Sequence, residues 1–178
     1  MFELIPEKTN KRARNLVILF LVAAALLLVI MKFLEGIPFL WVIQLADILL
    51  FVAAVALLTR YVMKKFIYRV EPTDNGADLT VTEAAANGKR QVTVCRIGLG
   101  SIKDVRELSG EECRLREVRK EKLPIYDYRP DLYPERSILI RTDEGGREVY
   151  VCLAYDERLL SLLPRTESDG DIYRTVFV

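Results

Sequence analysis

Two apolar runs in the first third decide what the rest of the chain can do. Leu16–Met31, "LVILFLVAAALLLVIM", holds no charged residue, and Phe39–Val62 carries only Gln44, Asp47, Thr59 and Arg60 as clearly polar groups. A helix rises about 1.5 Å per residue, so roughly 20 residues cross a hydrocarbon core. With its flanks, each run reaches that length. A cleaved signal would account for the first run alone, yet the second follows after the short connection "KFLEGIP" with no small-residue cleavage pattern between them. The expectation is a transmembrane helical hairpin over residues 15–65, preceded by an N-terminal segment, 1–14, and followed by a soluble part, 66–178.

Positive residues near span ends set orientation. Lys8, Lys11, Arg12 and Arg14 precede the first run, and Arg60, Lys64, Lys65 and Arg69 follow or close the second, while the connection holds one lysine and one glutamate. Both termini are therefore expected in the cytoplasm, with the hairpin in the inner membrane. Gly36 and Pro38 suit a tight external turn, through free φ and a broken helix respectively.

Residues 1–65 carry eight Lys/Arg against four Asp/Glu, and residues 66–178 carry 18 against 21. A slightly acidic soluble part gives no reason to expect a nucleic-acid partner. Histidine is absent, which removes the commonest general base and metal ligand. Cys95, Cys113 and Cys152 fit no zinc or CxxC spacing and read as small buried hydrophobes on strands. "GLGS" at Gly98–Ser101 is too short for a dinucleotide fingerprint. No catalytic residue, metal ligand or cofactor site is nominated.

From Phe66 onward the hydrophobic period becomes two. "FIYRVE", "DLTVTEA", "RQVTVCRI", "SILIRT" and "EVYVCLA" read as strands, and "TDNG", "ANGK" and "DEGG" supply turn residues for antiparallel hairpins. In "YDERLLSLLPR", Asp156 can cap a helix whose apolar side is Leu159, Leu160, Leu162 and Leu163 before Pro164 stops it.

An apolar hairpin, these strands, the segment "VTVCRIGLGSIKDV" with Ile97, Leu99, Ile102 and Val105 standing where such domains run their third strand into an "I/L-x-x-I-x-x-V" segment, and the late hairpin-plus-helix "ILIRTDEGGREVYVCLAYDERLLSLL" together resemble bacterial membrane-anchored pleckstrin-homology-like proteins. The resemblance covers about residues 66–163. It implies an α+β chain whose soluble part is a seven-stranded, two-sheet, mainly antiparallel barrel capped by the C-terminal helix and used for lipid, peptide or protein contacts. One departure matters: the first hairpin loop holds Glu71, Asp74 and Asp78, where lipid-binding relatives place basic residues. Specific phosphoinositide binding through that loop is not expected.

Three stretches remain. Glu111–Lys122, "EECRLREVRKEK", mixes charges as a solvated face does, though a domain tethered near an anionic leaflet could also use it on headgroups. "LPIYDYRPDLYPERS" alternates Tyr126, Tyr128 and Tyr133 with Pro124, Pro130 and Pro134; the rings either pack over the sheets or form a partner-docking loop. Within the second run, Asp47 and Gln44 share a helix face, and depth counted along the two helices puts Lys32 only about 7–8 Å further out. A charge near the bilayer centre costs about 2.5–3.5 kcal/mol on insertion scales, so Lys32, Gln44 and Asp47 are expected to form a polar pin between the helices. The alternatives are a protonated Asp47 or a conducting role.

The chain thus reads as a non-enzymatic membrane-anchored interaction or assembly module, with the lipid bilayer and a protein, or a second copy, as partners. The competing reading is a component of an oligomeric membrane channel or transporter with the β domain as its regulatory part.

Overall fold

The two apolar runs form helices α1 (Arg12–Phe33) and α2 (Leu40–Leu57), the second continued by a π-helical turn, Leu58–Val62. Both are long and apolar enough to cross a membrane. The structure, a computed structural model, describes residues 2–7, 11–33, 40–74, 76–85 and 90–164. The connection containing Gly36 and Pro38, and the "ANGK" turn, lie outside the described residues.

The helices pack along a narrow seam. On α1 the shielded positions include Ala13, Val17, Phe20, Ala24, Leu27 and Met31; on α2 and its extension they include Leu40, Ile43, Asp47, Leu50, Ala54, Leu57 and Tyr61. Each set steps by three and four residues in turn, the 3.5-residue period of coiled-coil packing. Ala24 and Ala54 are buried there, small enough for close backbone approach. The remaining faces stay exposed and carry large apolar side chains such as Leu19, Leu26, Trp41, Leu49 and Val52.

Among the described residues the strands form two four-stranded sheets. The first runs β1 (Phe2–Leu4), β2 (Lys64–Thr73), β3 (Gly76–Ala85), β4 (Gln91–Gly98), all antiparallel. A 3-10 turn, Leu99–Ser101, carries the chain across to β5 (Ile102–Ser109). The second sheet has the order β5, β7 (Arg136–Glu144), β8 (Arg147–Ala154), β6 (Ile125–Asp127), with β6 parallel to β8 and the other pairs antiparallel. Among the described strands neither sheet closes on itself. The architecture is α+β, two apolar helices with antiparallel sheets.

Strand alternation builds the core between the sheets. Phe66, Tyr68 and Val70 of β2 meet Leu79, Val81, Ile97, Ile138, Ile140, Val151 and Leu153, with Leu99, Ile102 and Val105 packed against them. The opposite face of the second sheet has its own cluster, because Leu139, Tyr150 and Cys152 point the other way. Residues 110–123 cover it: a 3-10 helix (Gly110–Arg114) and α3 (Arg116–Lys120) bury Cys113 and Leu115 and leave the charges outside. The mixed-charge stretch is therefore a cover with a solvated outer side.

Two local expectations are met atom by atom. Asp156 Oδ1 accepts from the backbone N–H groups of Arg158 and Leu159, both at 3.0 Å, and starts α4 (Glu157–Leu162). Gly145 and Gly146 make a two-residue β7–β8 turn with φ of 60° and 84°, and Asp143 Oδ1 accepts from Gly146 N–H at 2.7 Å.

Other features differ from expectation. Of the expected apolar side of the last helix, Leu159, Leu160 and Leu163 pack on the core and only Leu162 is exposed. The N-terminal segment is not separate from the soluble part, since Phe2–Leu4 pairs with Tyr68–Val70 as the edge strand of the first sheet. The first long strand begins at Lys64, one residue after the π-helical turn.

Candidate functional site

The three polar residues expected to pin the helices separate onto different faces. Asp47 occupies a seam position, half-buried, whereas Gln44 and Lys32 are exposed. Asp47 Oδ1 is buried without a hydrogen-bond partner, and among the described residues no hydrogen bond or ion pair joins it to Lys32 or Gln44. The reason is angular. Gln44 and Lys32 each follow a seam position, Ile43 and Met31, by one residue, and one residue turns a helix by about 100°, which carries both off the seam that Asp47 occupies.

The tyrosine segment also divides. Tyr128 packs against the core: its ring meets Phe66 edge-on at 5.8 Å between centroids, and its hydroxyl donates to the Val94 carbonyl at 3.2 Å. Burial pushes its hydroxyl up to about 12. Tyr126 stacks on Tyr128 at 6.4 Å but remains 41% exposed, beside a crevice between β4 and the second sheet. Tyr133 is 49% exposed and lines a different groove with Arg12 at the start of α1. Two of the three rings are exposed, and they line different grooves.

What fixes this segment is an ion pair that sequence reasoning missed. Arg129, 5% exposed, donates from Nε and Nη2 to the two carboxylate oxygens of Asp127 at 2.8 and 2.7 Å. Its Nη1 reaches the Cys113 carbonyl at 2.6 Å and the Ser137 hydroxyl at 3.3 Å. One guanidinium thus ties β6, the cover and β7 together. The available signal was an Asp-x-Arg spacing inside Leu123–Pro130, "LPIYDYRP", which is otherwise made of tyrosine, proline and aliphatic residues.

The helix pair meets the sheets at the same place. Arg60 donates to the Asp127 backbone carbonyl, and its guanidinium lies 4.9 Å from the Phe66 ring centroid and 5.5 Å from that of Tyr61. Lys64 pairs with Glu83 at 2.9 Å and Arg69 with Glu3 at 3.0 Å. Three of the four positive residues at the end of the second run are therefore engaged within the protein. Tyr68, at the centre, donates to the Tyr128 carbonyl at 2.9 Å and accepts from Ala154 N–H at 3.1 Å; burial raises its hydroxyl well above the ordinary tyrosine range.

The thiols behave as core atoms. Burial pushes Cys152 up to about 12 and Cys95 up to about 11, far from the thiolate a nucleophile needs. In the first hairpin Asp78 is held by Arg96 at 2.7 Å. Among the described residues no group of three or more His, Cys, Asp or Glu is arranged to hold a metal ion. Comparison of the chain with known protein families, with curated proteins and with solved structures finds no match.

Proposed function

We propose that the chain is a non-enzymatic, membrane-anchored interaction module of the pleckstrin-homology-like kind, in which the hairpin holds the two-sheet domain against the cytoplasmic face of a bacterial inner membrane and the domain engages a protein partner. One observation carries the reading: β1 and β2, the strands on either side of the hairpin, pair in register, so both helices leave from a single sheet. A domain attached at two points is held in place and turned one way. Lys11, Arg12, Arg14 and Lys65 supply the charge that favours the cytoplasmic side. Tyr126, exposed and backed by Tyr128, offers the aromatic anchor that protein interfaces favour.

The test is site-directed photo-crosslinking in intact membranes. A photoreactive side chain at position 126 should give a discrete adduct with one polypeptide, or a species of twice the chain mass if the partner is a second copy, and Arg147, the first residue of β8, serves as the control position. No adduct at 126 beyond that at 147 counts against the module.

A second reading, an oligomeric channel or transporter component, rests on the unpartnered Asp47 oxygen in the helix seam. It requires that reconstituted protein conduct and that Asp47→Asn alter the flux.

A further inference from the structure

The chain leaves the π-helical turn at Val62 and enters β2 at Lys64, with Met63 alone between them. Leu40–Val62 is about 35 Å long at the helical rise, against a hydrocarbon core of about 30 Å. A span of this length puts Val62 at headgroup depth, and the sheet starts there. No linker separates domain from bilayer on this side, and on the other only residues 5–11 lie between β1 and α1.

The domain surface beside the helix ends has a matching character. In one groove of about 500 Å³, Met63 and Val92, 53% and 50% exposed, stand with Thr59 of the π-helical turn, and Lys64 and Arg90 form its basic rim. In a second groove, of about 670 Å³, Ile5 and Tyr133 stand with Arg12. Isolated exposed apolar residues need no explanation. Here four of them flank the first turn of α1 or the last turn of α2, each group next to a cation. Carboxylates are present too: Glu83 in the first groove is neutralised by Lys64 at 2.9 Å, whereas Glu7, Asp131, Glu135 and Asp156 line the second. The side carrying Met63, Val92 and Arg90 has the better match to anionic headgroups over a hydrocarbon edge.

We propose that this helix-proximal face of the β domain is seated in the headgroup layer of the bilayer that holds the hairpin, with Met63 and Val92 reaching the top of the acyl chains and Arg90 contacting anionic headgroups. Ile5 and Tyr133 lie at the same level on the opposite flank. Apolar tips with basic neighbours are what the interfacial zone selects. The assignment rests on the hairpin spanning the membrane, and the native tryptophan allows the two to be tested apart.

The experiment uses the full chain in vesicles of phosphatidylcholine and phosphatidylglycerol containing lipid with a nitroxide near the top of the acyl chain. Native Trp41, exposed at the start of α2, reports insertion of the hairpin itself. Trp41→Phe combined with Val92→Trp reports the domain face, and Trp41→Phe combined with Arg147→Trp reports the start of β8. Position 92 should be blue-shifted and quenched severalfold more than position 147. If Trp41 is quenched while position 92 is as unquenched as 147, the seating is wrong and the hairpin stands. If Trp41 is not quenched, the hairpin reading fails first. A blue-shifted, unquenched position 92 would mean that a second copy covers this face, which also overturns the proposal. Met63→Trp on the Trp41→Phe background repeats the measurement at an independent exposed site should Val92→Trp not fold.

Discussion

Replacing Arg129 with methionine keeps the apolar length of the side chain and removes every donor it supplies. Two charge-assisted bonds to Asp127, at 2.8 and 2.7 Å, disappear, and the Cys113 carbonyl and Ser137 hydroxyl lose a partner at 2.6 and 3.3 Å. Removing one member of a buried pair costs about 3–5 kcal/mol, mainly because the other charge is stranded. Asp127 keeps 34% of its side chain exposed and can rehydrate, so the lower end, about 3 kcal/mol, applies. For a chain of this size that is roughly 6–12 °C in Tm. The assay is thermal unfolding of the detergent-solubilised full chain followed by near-ultraviolet circular dichroism, with Asp127→Asn and the double variant alongside. Asparagine still offers an oxygen to Arg129 N–H, which Asp127 now accepts at 3.1 Å, so the turn is kept while the charge is removed. Asp127→Asn combined with Arg129→Met should cost less than the sum of the single variants, by about 1 kcal/mol or more. A shift under about 2 °C for Arg129→Met, or strict additivity, would refute the assignment of Arg129 as the tie between β6, the cover and β7.

Three further outcomes are expected. Bonds from Lys103 and then Arg141 lower Glu148 to about 2; a depressed carboxylate stabilises above its unfolded value near 4.5 and loses that contribution as pH falls through about 2, so Glu148→Gln should flatten the acid limb of a stability-against-pH curve between these values and leave its neutral region unchanged in slope. Because no contact joins Lys32 to Asp47, Lys32→Leu and Asp47→Leu should be additive in detergent melts, and a coupling above about 0.5 kcal/mol would restore the polar pin. Maleimide at neutral pH should label Cys95 and Cys152 slowly in the folded chain and fully in denaturant; rapid native labelling of Cys152 would contradict its burial.

The long features were readable because they repeat. Sixteen uncharged residues from Leu16, alternation along Phe66–Val70 and the glycines of "DEGG" each follow from one physical rule applied several times. What escaped was short or depended on tertiary position. Phe2–Leu4 and Ile125–Asp127 are three-residue strands with too few positions to alternate, and each exists because an adjacent strand offers an unpaired edge. The three tyrosines of the proline-rich segment have the same local pattern, yet only Tyr128 meets Phe66 and Val94, which come from distant β2 and β4. Composition identified Asp47 as unusual. The place of Lys32, one residue past the seam position Met31 on α1, then decided that it would not reach Asp47.

The pairing of β1 with β2 makes the entire helical hairpin the connection of one β-hairpin, with residues 5–63 as its loop. Closing a flexible loop of that length would cost roughly 3–4 kcal/mol of chain entropy, more than three backbone pairs of an edge strand readily return. Two antiparallel helices remove most of that cost by bringing their own ends together before the strands meet. Assembly order follows: the first strand waits unpaired until the two helices have come together, and is captured when β2 emerges. A bulky N-terminal fusion would therefore burden the sheet before it affected the helices.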